Sequence, residues 1–490
     1  MTVRVRIAPS PTGEMHIGNI RSSLFDWLFA RHHGGVFVMR IEDTDRTRLT
    51  PGALEAVLDA HRWLGLDWDE GPDVGGPYGP YFQSERLHLY HAAAERLVAQ
   101  GDAYRCYCTP ERLDALRAEQ ARRRQQPGYD RRCRALSPQQ RAEADAAGLP
   151  FVVRFAMPAE GKTSFVDAIR GEITFDNAQY DDHVLLKSDG FPTYHLAALV
   201  DDGEMRITHA LRGEEWLPST PRHLLTFRAL GYEPPVYAHL PVIVGKDRKK
   251  LSKRHGGASV RSYREAGYLP DALFNFLGLI GWSLDDHTVE ISREHFVANF
   301  DLDRVVRSPA LFDLDKLNWL QGQYIQKLSD ADFTDAALPW LDRDLPPSAP
   351  RPVDRDLVLR MAEALKTRVK RLDEVGPLAA YLFLPEPLAY DRSLLLGRKG
   401  AADPAEVHAR LRLLRDALAT LEPWDRPRLE GAFRLLAEER GVKLGDLLTP
   451  LRAAVTGSAV SLPMDVSLDL LGRARTLRRI DDALERLGAD

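Results

Sequence analysis

Cysteine is nearly absent from this chain. Three of 490 residues, at 106, 108 and 133, are too few for a disulfide framework. Long apolar runs are missing as well. The longest apolar-rich stretch, 272–282, is short and contains Asn275, so no membrane-spanning helix is expected. No apolar leader opens the chain, and a cytoplasmic location is the expectation. There is no excess of basic charge either. Lys and Arg number 66 against 71 acidic residues, a net charge of −5, so any nucleic acid has to be met by local basic patches. Internal repeats are lacking, and low complexity is confined to short proline- and aspartate-rich linkers. What is present is an ordinary globular composition, 44% hydrophobic and 28% charged. The length suits about three domains.

The most informative stretch comes first. Residues 3–7 alternate Val and Ile with Arg, the pattern of a strand with one buried face. Pro9, Pro11 and Gly13 then turn the chain. From His16 onward Ile17, Ile20, Leu24 and Leu28 recur at helical spacing, and Gly34-Gly35 end that helix. Residues 36–41 read as a second strand. Strand, glycine turn, helix and strand make a unit of a parallel, nucleotide-binding sheet. A helix N-terminus offers free N–H groups and partial positive charge to phosphate. Gly13 and Gly18 permit close approach, and His16 adds a donor. The plain alternative for His16 is a cap or packing residue.

PSPTGEMHIGN (9–19) resembles the HIGH-type motif of class I aminoacyl-tRNA synthetases, with Asn19 in place of the final histidine. KLSKR (250–254) resembles the KMSKS-type motif that accompanies it. RIAPSPTG (6–13) followed by RIEDTDRTR (40–48) is similar to the glutamyl/glutaminyl branch. A helical second half is similar to the bacterial glutamyl-tRNA synthetases, and the resemblance runs along nearly the whole chain. It implies an α/β, Rossmann-type catalytic domain with an inserted acceptor-binding domain, followed by an α-helical anticodon-binding half. The expected parts are 1–103 and 191–240 for the catalytic domain, 104–190 for the insertion, 241–325 for the second motif with a stem-contact domain, and 326–490 for the anticodon-binding domain.

The same resemblance implies ATP with Mg²⁺, L-glutamate and tRNA(Glu) as partners, no membrane, and a monomer. His16 and Lys253 are the expected catalytic groups. Pro9, Ser10, Thr12, Gly18, Asn19, Lys250, Ser252 and Lys253 are expected around ATP. Arg6, Ser10, Glu42, Tyr194 and Arg212 are expected around glutamate. Glu42 would meet the ammonium, and Arg6, on the first strand, would select a carboxylate over an amide. Asp43 and Asp45 read as turn and cap residues. Some relatives carry asparagine where Ala198 stands. For Arg212 the plain alternative is a surface ion pair with Glu214 or Glu215.

Residues 104–190 interrupt the α/β pattern. Cys106 and Cys108 form a C-x-C, Thr109-Pro110 caps a helix, a basic run at 122–124 follows, and then comes Cys133. Some members of the family bind zinc here. Ala135 stands where some relatives have histidine, and Tyr129 could complete a tetrahedral set. Three reduced thiols without metal are the alternative.

Beyond residue 259 helical periodicity dominates: Leu273, Phe276, Leu277, Ile280, then Leu314, Leu317, Leu320, then Leu357, Ala362, Leu365. KTRVKR (366–371) reads as four basic side chains on a helix. It is either a solvated helix end, favoured by the macrodipole, or an RNA contact. Arg368 matches the family's arginine that reads the last anticodon base, with a planar donor fork suited to base edges. GVKLGDLLTPLRAAVTG (441–457) resembles the family's terminal domain.

Four other readings compete. Glutaminyl-tRNA synthetases share the first motif but carry β-barrels after the catalytic domain. A truncated relative that modifies a tRNA base lacks the anticodon domain. A catalytically dead tRNA-binding scaffold would not need both motifs. A small-molecule nucleotidyltransferase would not need so large a helical extension.

Overall fold

β1 (Arg4–Ile7) and β2 (Val36–Met39) pair in parallel, with Arg4 opposite Val36 and Ile7 opposite Met39. α1 (Ile17–His32) links them, burying Ile17, Ile20, Leu24, Phe25 and Leu28 along one stripe. The computed structural model describes residues 2–251, 259–397 and 402–488. α1 ends before Gly34, whose φ of 58° suits a residue without Cβ. Gly35 is required for a different reason: a Cβ there would sit 2.4 Å from the Val3 carbonyl oxygen.

Thr50-Pro51 has the sequence of a helix cap followed by a first-turn proline, yet α2 (Ala53–Trp63) starts later. Gly52 precedes it at φ 76°, and no side chain caps it. The left-handed glycine separates Thr50 from the helix. Thr50 instead clasps the first loop, its N–H donating to the Pro11 carbonyl at 3.1 Å. α3 (Leu87–Gln100) follows a short 3₁₀ turn.

The chain then leaves the parallel pattern. β3 (Ala103–Cys106) runs antiparallel to β4 (Val152–Phe155). Between them lie α4 (Pro110–Arg122), capped by the Thr109 hydroxyl with proline in its first turn, and α5 (Pro138–Ala146), opened by a Ser137–Gln140 capping box. β5 (Lys162–Asp167) and β6 (Gly171–Asp176) form a hairpin. β7 (Val184–Leu186) completes the three-stranded sheet β3-β4-β7.

α6 (Tyr194–Glu204), β8 (His209–Gly213), α7 (Thr220–Ala229) and β9 (Val236–Leu240) restore the α/β alternation. β8 and β9 are parallel. The Thr208 N–H donates to the Arg4 carbonyl at 2.9 Å, which sets β8 beside β1. The strands therefore lie in the order β2-β1-β8-β9, the Rossmann-type arrangement the sequence predicts. On the far side of β9, Ala168 N–H donates to the Tyr237 carbonyl at 2.8 Å. β10 (Ile243–Val244) and β11 (Ala310–Leu311) pair in parallel farther along. α8 (Val260–Glu265), α9 (Pro270–Gly278) and α10 (Arg293–Asn299) lie between them in the chain.

The chain forms two compact units, one of residues 1–262 and 273–314, the other of residues 263–272 and 315–490. The second unit is helical: α11 (Leu314–Lys327), α12 (Asp330–Asp344), α13 (Arg355–Lys366), α14 (Val375–Ala379), α15 (Pro404–Ala419), α16 (Arg426–Glu439), α17 (Leu444–Thr456) and α18 (Met464–Gly488). Phe333, Met361, Leu411, Leu451 and Ile480 are among its fully buried side chains. α13 stops at Lys366, so KTRVKR is a turn rather than a helix face. Arg368 N–H and Val369 N–H both return to the Leu365 carbonyl, and the turn drops Val369 and Leu372 into the core. Burying those two apolar groups outweighs continuing the helix. Among the described residues no helix is long and apolar enough to cross a membrane.

Replacing Gly35 by Ala should destabilise the first unit by about 1–3 kcal/mol, the usual size of an overpacking penalty. Equilibrium unfolding in urea would read this as a lower midpoint, and an unchanged midpoint would mean that Val3 shifts without cost.

Candidate active site

The C-terminal ends of β1 and β8, the start of α1 and the segment after β9 surround a cavity of about 390 Å³. This is where an open parallel sheet offers ligand groups. Arg6, Pro9, Ser10, Thr12, His16, Gly18, Asn19, Glu42, Tyr194, Arg212 and Lys250 all line it. Ser252 and Lys253 lie outside the described residues. On one side of them, Lys250 and Leu251 line the cavity. On the other, Ser259 forms an isolated antiparallel bridge with His16, and Val260 N–H donates to the Met15 carbonyl at 3.2 Å. Lys250 and Leu251, the described part of the second motif, thus share one pocket with the first motif.

His16 takes the N-cap position of α1. Its backbone is extended and its Nδ1 accepts the Gly18 N–H at 3.1 Å. The capping role and a ligand role are compatible. Accepting through Nδ1 puts the proton of a neutral ring on Nε2, which is then a donor.

Behind the cavity is a cluster of buried charges. Arg40, with no exposed surface, meets Asp202 at 2.7 Å, Glu42 at 3.5 Å and Asp201 at 3.6 Å. Arg6 Nε meets the same Asp202 at 3.1 Å. Asp201 is held further by Arg86 at 2.7 Å, Gln83 at 2.9 Å and the Tyr90 hydroxyl. Burial opposes the charge on Arg40, but Asp202, Asp201 and Glu42 outweigh it and hold its pKa above the usual value. Burial likewise opposes charge on Asp202, and Arg6 and Arg40 together keep it ionised. Glu42 is different. Burial raises it, Arg40 and Arg6 pull it back, Asp202 and Asp201 push against them, and it settles at about 7. Its Oε1 is buried and has no hydrogen-bond partner. That oxygen faces Arg40 Nη2 at 3.5 Å, a loose ion pair, and a loosely paired carboxylate on a cavity wall suits an ammonium group.

Arg212 is buried, and among the described residues it makes no ion pair. Its Nε donates to His239 Nε2 at 3.0 Å, Nη1 to His223 Nδ1 at 3.1 Å, and Nη2 to the Thr220 hydroxyl at 2.9 Å. The alternative of a pair with Glu214 or Glu215 is therefore not what the chain adopts. Glu214 takes Arg170, and Glu215 lies 4.0 Å from Lys250. The Tyr194 ring rests against Trp216, centroids 4.3 Å apart. Asp43 caps the turn before α3, accepting from the Ser84 N–H and hydroxyl at 2.8 and 2.6 Å, and Asp45 accepts from Thr47. Both match their reading as turn residues. Ala198 is buried in α6.

A family model described as "tRNA synthetases class I (E and Q), catalytic domain" matches residues 2–319, and one described as "Anticodon binding domain" matches residues 332–484. A protein of Dehalococcoides mccartyi named glutamate–tRNA ligase is 50% identical over 488 residues, covering 99% of this chain and 98% of that one. The chain belongs to the glutamate–tRNA ligase family. Another glutamate–tRNA ligase, from Desulforudis audaxviator, is 45% identical over 493 aligned positions, covering 100% of this chain and 97% of its own. The fold agrees. A crystal structure of a glutamate tRNA ligase from Elizabethkingia meningosepticum, in complex with its amino acid, superposes with a TM-score of 0.86 at 34% identity, over 99% of this chain and 100% of that one. Membership of the glutamate–tRNA ligase family makes this an aminoacyl-tRNA ligase of class I, with a helical anticodon-binding region after its catalytic domain.

Two further groups of expected residues are not among those that line the cavity. Cys106, Cys108 and Cys133 converge, with sulfur atoms within 4.8 Å of one another. Cys108 and Cys133 are 3.4 Å apart, and the Tyr129 hydroxyl is 3.3 Å from Cys106 and 3.6 Å from Cys108. A tetrahedron with Zn–S bonds of about 2.3 Å has S···S edges of roughly 3.8 Å, so the four groups fit a zinc ion. The thiol of Cys106 is held well below its usual range, first by the hydrogen bond from Cys133, which favours a thiolate ligand. Arg368, exposed in the second unit, lies near the half-buried Arg452 of α17. Burial, then the charge of Arg368, lowers the pKa of Arg452.

Arg40, Asp201, Asp202, Trp216, His223 and His239 were not singled out from the sequence. For Asp201-Asp202 a signal existed: two acids ending an otherwise apolar helix, YHLAALVDD. The histidines carry none, because their neighbours come from distant segments.

Glutamate binding should weaken as pH falls from 8 to 6. Protonating Glu42 removes its hold on an ammonium, while free glutamate keeps its ionic form across that range. Folding runs the opposite way: the native state binds a proton at Glu42 that the unfolded chain has lost, so this group's contribution to stability declines from pH 4.5 to about 7. KM for glutamate measured across the window checks the first point. Glu42→Gln should raise KM and flatten the profile, and an unflattened profile would assign the titration elsewhere.

Proposed function

We propose that this cavity condenses glutamate with ATP to glutamyl-adenylate and that the glutamyl group then passes to the 3′ end of tRNA(Glu). The observation that carries this reading is the charge pattern of one pocket. Its lining carries the guanidinium groups of Arg6, Arg21 and Arg212, the ammonium of Lys250 and the carboxylates of Glu42 and Glu215, and of these Arg6, Arg212 and Glu42 form the set that holds the amino acid. That is the complement of an amino acid with two carboxylates and one ammonium. Arg6, Ser10, Tyr194 and Arg212 hold the carboxylates and chain, and Glu42 takes the ammonium.

No protein nucleophile is required. The glutamate carboxylate attacks the α-phosphorus of ATP, pyrophosphate leaves, and the ribose hydroxyl of the terminal adenosine then displaces AMP from the mixed anhydride. Catalysis is positioning and charge stabilisation. Pro9, Ser10, Thr12, Gly18 and Asn19, with the N-terminus of α1, cradle ATP, and His16 donates through Nε2. Lys250, Ser252 and Lys253 meet the phosphates, Lys253 neutralising charge as pyrophosphate departs. Mg²⁺ accompanies ATP and screens the phosphates.

Residues 104–190 take the acceptor end of the tRNA, 241–325 its stem and 326–490 its anticodon, where Arg368 reads the last base. Two arginines brought close with no acidic partner among the described residues, Arg368 and Arg452, favour a polyanion there. One structural zinc is held by Cys106, Cys108, Cys133 and Tyr129, tying β3 to the segment after α4. The enzyme works as a monomer in the cytoplasm.

The direct test is aminoacylation of purified glutamate and glutamine tRNAs, each with both amino acids. Charging of glutamate tRNA with glutamate is expected, and its absence would end the reading. Lys253→Ala should slow pyrophosphate exchange by about 10²–10³-fold, the typical loss of one transition-state donor. Metal analysis of the purified protein should find one zinc per chain, lost in Cys133→Ser. A metal-free wild-type protein would leave the site as three reduced thiols.

A further inference from the structure

We propose that His223 and His239 are positioning residues that hold the Arg212 guanidinium between two neutral ring nitrogens, so that its charge stays available to a carboxylate of the bound amino acid. The inference rests on the reading of Arg212 as a glutamate-binding residue.

An arginine can only donate, so each ring nitrogen it meets must be an acceptor. Arg212 Nε reaches His239 Nε2 at 3.0 Å, which places the His239 proton on Nδ1. That proton goes to Asp167 Oδ2 at 2.6 Å. Asp167 is itself fixed as an acceptor by the N–H groups of Ile169, Arg170 and His239. On the other side, Arg212 Nη1 reaches His223 Nδ1 at 3.1 Å, which places the His223 proton on Nε2. That proton goes to His195 Nδ1 at 3.0 Å. One arginine therefore dictates the tautomers of His239, His223 and His195. An imidazolium at either contact would set an N–H against an N–H. Burial lowers the pKa of both His223 and His239, which agrees with neutral rings.

The contrast with Arg6 shows what the cage does. Arg6 is paired directly with a carboxylate, Asp202. Among the described residues Arg212 has only neutral partners: two imidazoles, the Thr220 hydroxyl, the Trp216 carbonyl and the Tyr237 ring at 4.6 Å. The Asp167 carboxylate is one full imidazole away. A buried cation held by neutral acceptors is fixed in place without being neutralised, and an anionic ligand completes it.

Asp and Asn have the same shape and differ in charge, so His223→Asn and His223→Asp separate geometry from electrostatics. Asn can place its carbonyl oxygen near the Nδ1 position. We expect the glutamate KM of His223→Asn, and of His239→Gln, to stay within about threefold of wild type, and that of His223→Asp to rise about tenfold or more, as a protein carboxylate replaces the ligand's as partner. The ATP KM should not move in any of them. Equal shifts in Asn and Asp variants, or parallel rises for glutamate and ATP, would reduce the histidines to packing and overturn the proposal. Arg212→Gln separates the two failures. If it leaves the glutamate KM unchanged, the binding role of Arg212 falls. If it raises KM while His223→Asp does not, only the cage falls. Should a buried aspartate prevent folding, ¹⁵N-histidine NMR of the wild-type protein decides directly: neutral rings, Nδ1–H at His239 and Nε2–H at His223, are expected. An imidazolium or the opposite tautomer at either position overturns it.

Discussion

The contact on which the catalytic unit depends is that of Arg40 with Asp202. Both are buried, and the 2.7 Å separation leaves no room for water between them. Taking two ions out of water is expensive, and an isolated pair of this kind adds little net stability. Its value lies in geometry. Arg40 sits just past β2 and Asp202 near the end of α6, so the pair joins the first and second halves of the sheet behind the cavity. Arg6 on β1 shares Asp202, and Glu42 shares Arg40. Two groups that line the pocket are therefore oriented by one buried pair. Losing either member would strand the other charge, a penalty of about 3–5 kcal/mol.

This arrangement produces a site with graded charge. Asp202, paired with Arg40 and Arg6, remains ionised in the protein interior, and Asp201 is held by Arg86 and Arg40. Glu42 meets Arg40 only loosely, through an oxygen at 3.5 Å that makes no hydrogen bond. Arg212 is left, among the described residues, with neutral partners. Among the charges on the cavity wall, then, Glu42 is a loosely paired anion, Arg212 a cation held by neutral groups, and Arg6 a cation already engaged by Asp202. A zwitterion with an additional carboxylate completes that set, whereas its neutral amide would leave a cation unpaired.

Much of this was legible in the sequence, for reasons that are local. The first strand, the glycine turn and α1 were visible because alternation, proline and 3.6-residue spacing all concern neighbours in the chain. The Thr109-Pro110 cap was visible on the same ground. The motif residues were legible because their types and order match a family. What escaped was set by partners far apart in sequence. Thr50-Pro51 looks like a helix start, but Gly52 and the clasp on Pro11 make it a turn. KTRVKR looks like a basic helix face, but Val369 and Leu372 are drawn into the core and end α13 at Lys366. Arg212 looked able to pair with the acids beside it. Those acids are taken by Arg170 and Lys250, which come from segments about 40 residues to either side. The cysteine cluster sits between these cases: the spacing suggested four groups, and only folding brings Tyr129 within reach of two of the thiols.

The two units also handle arginine in opposite ways, and the difference bears on what each can bind. In the catalytic unit Arg6, Arg40 and Arg212 are held by acids or ring nitrogens beside one small cavity. In the helical unit Arg479 is buried among carbonyls, donating to the backbone oxygens of Val455 and Tyr381 and to Glu386, and serves the core. Arg368 and Arg452 have no such partners among the described residues. Like charges placed close together raise each other's energy, and the charge of Arg368 adds to burial in lowering the pKa of Arg452. A fold keeps such a pair without penalty only when counter-charge arrives from outside. A phosphate backbone supplies it along a line, where a single carboxylate would satisfy just one of the two. The net charge of −5 is thus no obstacle to RNA. Attraction is set by where the arginines stand and by the absence of acids beside them, not by the sum over the chain.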